Sequence, residues 1–153
     1  LSPGYVEQDA EMVWLDQQLT DSRSRYCHGV IRSMPANPTP EQVWQLVTSY
    51  RGRFALDFAY EDWAGSFRDS LHASYLRIVE DAIRSDIKSG QFERGISVAE
   101  HALDVEPDSD ELQAALLRLY RFAGVHAAAA EQYTHYSATM RQLGVDPPGI
   151  EDV

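Results

Sequence analysis

The chain has 153 residues, of which 13 are Lys or Arg and 24 are Asp or Glu, giving a formal net charge of −11. That length suits one domain, or two small ones, with a real hydrophobic core, and a hydrophobic share of 44% separates it from disordered chains. The surplus of eleven negative charges argues against direct binding of nucleic acid or an anionic membrane by this stretch. Cys27 is the single cysteine, so no internal disulfide forms, and it is expected as a buried, inert thiol in a reducing compartment. No apolar run approaches the roughly 20 residues that span a bilayer. The opening residues have neither the basic start nor the apolar stretch of a signal peptide. A soluble, cytoplasmic protein is expected, and the start at Leu1 rather than Met predicts an excised domain or a processed chain.

From Asp9, the residues Met12, Leu15, Leu19, Tyr26 and Val30 fall at three- and four-residue steps or their sums, which predicts one long amphipathic helix ending before Pro35. The segment 32–40 carries three prolines and reads as a linker. Thr39 is placed as an N-cap, Pro40 at the first helical position and Gln42 to complete a capping box. Val43, Leu46, Val47 and Tyr50 then form one face of a short second helix. The aromatic stretch Tyr50–Phe58 reads as an ordered turn. A long helix follows from about Asp62, through Trp63, Phe67, Leu71, Tyr75, Val79 and Ile83, to a cap at Gly90. Helices from about Phe92 to Val105, Asp110 to Ala123 and Val125 to Leu143 complete an all-α chain.

The C-terminal half repeats itself at a spacing of 34 residues: Gly90 recurs as Gly124, Gly95 aligns with Ala129, and His101 with His135. This is the tetratricopeptide period, in which two antiparallel helices form each unit and small residues let them approach. Pro107 stands where that repeat places its terminal proline. Two such units, 59–105 and 110–144, fall short of the three or so a free array needs, so the N-terminal helix pair, 9–50, is expected to supply the missing layer. The expected fold is a single domain over 1–153, a right-handed tetratricopeptide-like stack of about three antiparallel helix pairs.

Several short motifs stand out: Tyr50, Arg51, Gly52 and Phe54, then Trp63, Arg68, Leu71 and Tyr75 along the long helix, Gly90 with Phe92, and Glu106 with Pro107. Together they resemble the bacterial transcriptional activator domain of the Streptomyces antibiotic regulatory protein class of regulators. Leu143, Gly144, Val145, Asp146 and Pro147 match the family's ending. Ala55 departs from it, standing where many relatives carry a large apolar residue. The resemblance implies a helical module that follows a winged-helix DNA-binding domain and mediates regulation, self-association or contact with the transcription machinery. The winged helix is expected upstream, since this chain contains no basic, strand-rich segment.

No residue set points to catalysis, a cofactor or a metal. The five histidines show no HExxH spacing. The acidic run Asp104–Glu111 lacks the turn glycine and the bidentate Glu of a calcium loop, and reads as a turn and helix start capped by Asp108 or Ser109. Neither a GxSxG turn nor a glycine-rich phosphate loop occurs. In the tetratricopeptide register the inner face carries Arg77, Glu80, Arg84 and Lys88, then Glu111, Arg118, Arg121 and Phe122. Five of the chain's thirteen basic residues thus fall on one inferred partner groove, suited to an acidic segment. The competing reading makes them solvated helix residues, some paired as Glu80 with Arg84. Trp14, Trp44 and Trp63 are expected in helix packing, and Phe54→Ala is expected to cost about 3–5 kcal/mol if the loop after Tyr50 is buried. The function expected is a non-catalytic regulatory and protein-interaction domain of a bacterial DNA-binding regulator, contacting DNA only through a separate upstream domain and meeting no membrane. A free-standing peptide-binding adaptor is the alternative.

Overall fold

The computed structural model describes residues 6–8, 13–15, 22–54 and 62–153. Its elements are β1 (Val6–Gln8), β2 (Val13–Leu15), α1 (Arg23–Ser33), α2 (Pro40–Ser49), α3 (Asp62–Ser89), α4 (Phe92–Leu103), α5 (Asp110–Phe122) and α6 (His126–Gln142). The fold is helical, apart from an antiparallel pairing of the two three-residue strands that sets Val6 opposite Leu15 and Gln8 opposite Val13.

That pairing corrects the expected helix from Asp9. Helix begins only at Arg23, where the Ser22 side chain accepts the Arg25 N–H at 3.2 Å. The three- and four-residue spacing of Met12, Leu15 and Leu19 was compatible with a helix, but Val13–Leu15 pairs instead with a strand that precedes it. A helical spacing pattern does not register a strand partner, even one five to nine positions away. Met12, Leu19, the 55–61 stretch with Phe58, and the side chains of Trp14 and Trp63 lie outside the described residues.

Downstream, local chemistry sets the helix ends. Thr39 accepts the Gln42 N–H at 3.4 Å while Gln42 Oε1 accepts the Thr39 N–H at 2.9 Å, a complete capping box with Pro40 at the first helical position. Ser109 caps α5 by accepting the Leu112 N–H at 3.3 Å. Helices α3, α5 and α6 close with one hydrogen-bond pattern: in the first, Gly90 donates to Ile87 and Gln91 to Asp86; in the second, Gly124 donates to Arg121 and Val125 to Tyr120; in the third, Gly144 donates to Arg141 and Val145 to Met140. Gly90 and Gly124 hold φ of 71° and 73°, the left-handed conformation this cap requires.

Packing proceeds along the chain, with α3 against α4, α4 against α5, and α5 against α6, while α2 reaches both α3 and α4 and α1 lies against α2 and α3. With 28 residues, α3 is about 42 Å long, enough to meet the N-terminal helices with one half and α4 with the other. Near its start Phe67 meets the His28 ring of α1 edge-on, centroids 5.3 Å apart, and near its end Asp86 pairs with Arg94 of α4. The main core joins Cys27, Leu46, Tyr75, Val79, Val98 and Leu119 from five helices. Burying a leucine as fully as Leu46 contributes about 1.5–3 kcal/mol. A second, smaller cluster of Ala114, Leu117, Ala129 and Tyr136 lies between α5 and α6. Among the described residues no helix is long and apolar enough to cross a membrane.

Candidate functional site

The expected partner groove is only partly open. Arg77, Arg84 and Lys88 are exposed on α3, and Arg118 is exposed on α5. Arg84 pairs with Asp81 at 2.8 Å, one position away from the expected Glu80. Phe122 is 57% exposed and stacks on Phe92 of α4 with centroids 5.8 Å apart. Arg121 differs from the others, because its guanidinium contacts Glu151 at 2.7 Å and the carbonyls of residues 151 and 153. This cation is engaged by the chain itself.

The motif residues build a scaffold instead. Tyr50, at the end of α2, is buried and stacks on Tyr75 of α3 with ring centroids 3.9 Å apart. Its hydroxyl lies 3.0 Å from His72 Nδ1, and His72 Nε2 lies 3.5 Å from Glu106 Oε1. Arg53 reaches the same carboxylate with two N–H groups, at 3.3 and 3.4 Å. An ionised carboxylate only accepts, so neutral His72 carries its proton on Nε2 and takes the Tyr50 hydroxyl proton as a hydrogen bond on Nδ1. Burial, with Glu106 nearby, pushes the Tyr50 phenol up to about 12, which keeps it a donor. Burial also pulls His72 below its ordinary value, against the opposing pull of Glu106. Gly52, with φ of 118°, turns the chain between Tyr50 and Arg53. Sequence reading found Tyr50, Gly52, Phe54 and Pro107 but missed His72 and Arg53, whose partners lie 22 to 53 positions away.

A cavity of about 560 Å³ opens between residues 36–38, α2, α3 and α4. Trp44, Val43, Ala82 and Val98 form its apolar wall, and the Asp86–Arg94 pair its polar one. Asp86 is 4% exposed, and Arg94 Nε donates to its Oδ1 at 3.0 Å. Trp44, expected in helix packing, instead lies off the buried face of α2 and is 39% exposed at this cavity. Among the described residues no three His, Cys, Asp or Glu side chains gather as metal ligands.

The family model of the bacterial transcriptional activator domain matches residues 36–149. The chain belongs to that family. No curated protein and no solved structure matches it. The activator-domain match begins in the linker before α2 and takes in α2 to α6, so it contains the Tyr50–His72–Glu106–Arg53 network, the cavity and the three glycine-capped helix ends. Two of the motifs that carry the resemblance, Tyr50–Phe54 and Glu106–Pro107, meet in space through Arg53 and Glu106. Their role visible in the geometry is to tie the α2–α3 connection to the α4–α5 turn.

Proposed function

We infer that this activator domain is the regulatory and protein-interaction part of a bacterial DNA-binding regulator of the Streptomyces antibiotic regulatory protein class. In this reading it works in the cytoplasm without catalysis and meets a protein partner, or a second copy, through its helix faces. A separate upstream winged-helix domain holds the DNA. The match over residues 36–149 carries the proposal. The net charge of −11 supports the division of labour, since an acidic module is repelled by DNA and leaves that contact to a basic neighbour. The stack is read as tetratricopeptide-like, supported by the like caps at Gly90 and Gly124 and by the buried small residues Gly95 and Ala129, each pair 34 positions apart.

The test uses the regulator expressed with its upstream sequence. Replacing Arg77, Arg84 and Arg118 by Ser is expected to leave operator binding unchanged while lowering transcriptional output. Unchanged output from a folded triple variant refutes the assignment of these cations to the partner surface. Unchanged output after deletion of the whole domain refutes the regulatory role.

A further inference from the structure

After α6 the chain turns back over the α5–α6 face. Tyr133 of α6 donates its hydroxyl to the Pro148 carbonyl at 2.8 Å. A turn closed by the Asp152 N–H on the Gly149 carbonyl, at 2.8 Å, follows. Arg121 then grips Glu151 through its carboxylate and carbonyl and reaches the Val153 carbonyl. Ile150 and Val153 pack on the cluster of Ala114, Leu117, Ala129 and Tyr136.

This is how a helical surface reads a peptide. Side chains satisfy main-chain carbonyls, one cation selects an acidic residue, and apolar residues on either side of that acid fill a shallow depression. We propose that the α5–α6 face is a docking site for an acidic segment of a protein partner, with an apolar residue just before the acid and another two after it. Residues 147–153 are its resident, displaceable occupant. Two observations carry this. The segment seated on the face demonstrates the chemistry the face accepts. Its acidic anchor is also held lightly: Glu151 is 83% exposed, and an ion pair so open to water is worth little. In a chain of net charge −11, Arg121 is what lets acid approach here, and exposed Arg118 one turn earlier adds to the attraction. The proposal deepens the interaction reading above and rests on it for there being a partner. The assay below involves no transcription, so its failure and the failure of that reading are separable.

The probe is a synthetic peptide copying residues 146–153, titrated into the 153-residue chain and into its Ile150→Ser/Glu151→Ser variant, with backbone amide NMR shifts as the readout. A short tether holds its occupant at an effective concentration on the order of millimolar. Releasing the occupant should therefore raise apparent peptide affinity on the order of tenfold. Adding Arg121→Glu should abolish binding, and a peptide carrying Lys in place of Glu151 should restore it. In the unaltered chain, which needs no variant to fold, excess peptide should shift the amides of Ile150 and Val153 towards solvent-exposed values. Absence of peptide binding to the released variant, or binding indifferent to the Arg121 charge reversal, overturns the proposal. Chemical shifts that grow with protein concentration in the absence of peptide would identify a second copy as the occupant and overturn the heterologous partner.

Discussion

Gly95 allows the packing of α4 to be tested with a sign as well as a size. A Cβ at this position would stand 2.7 Å from Leu119 Cδ2 and 3.3 Å from Asp86 Cβ, so α3 and α5 both close on the bare glycine. In an open helix position, Gly→Ala stabilises by about 1 kcal/mol. Here Leu119 has no exposed surface, and forcing a methyl against a packed side chain costs about 1–3 kcal/mol. The net expectation for Gly95→Ala is a loss of about 1 kcal/mol, or a fall in Tm of about 2–4 °C for a chain of this size. Gly29, in α1, has nothing within 4 Å of its missing Cβ, so Gly29→Ala should stabilise by up to about 1 kcal/mol. Urea denaturation with both variants and the parent measures the difference. Adding Leu119→Val to Gly95→Ala should recover part of the loss as a favourable coupling. If Gly95→Ala raised stability as Gly29→Ala does, the close approach of α3, α4 and α5 would be refuted.

Three further outcomes are expected. His72 is held below its ordinary value when folded, so its neutral form's stabilisation is present above the unfolded value of about 6.5 and is lost as pH falls towards the folded one; urea midpoints at pH 7.5 and 5.5 should differ less in His72→Gln than in the parent. Arg94→Leu strips both guanidinium contacts from buried Asp86 and should cost about 1–3 kcal/mol by the same assay; a neutral result would mean that water replaces the cation. Phe54 is half-buried and edge-on to Phe67 at 5.2 Å, so Phe54→Ala should cost about 2–3 kcal/mol, and a loss below about 1 kcal/mol would make the loop peripheral.

What could be read from the sequence was what neighbouring residues decide. The Thr39–Gln42 box, the Ser109 cap and the glycine ends at Gly90 and Gly124 involve partners within five positions, and the helix limits from α2 onward followed from them. The face Val43, Leu46, Val47 and Tyr50 is buried as its spacing required. The N-terminal stretch escaped because Val13–Leu15 takes its structure from Val6–Gln8, and pairing between strands leaves no mark on a helical period. A repeat register treats each helix position as facing solvent or core. Arg121 does neither, since it is covered by residues 151 and 153, which lie beyond the repeat. Nothing in the local sequence marks His72, whereas burial and two distant partners make it a joint.

Glu106 receives Arg53 from 53 positions earlier and touches His72, which in turn meets Tyr50. Thermodynamically this closes a long loop. The same carboxylate meets the connection after α2 through Arg53 and α3 through His72. Helical stacks whose units touch only their neighbours can fray one unit at a time. A cross-link of this kind, added to a core shared by α1 to α5, opposes fraying, so the two halves should melt together, and amides on both sides of Glu106 should exchange with solvent through one shared opening.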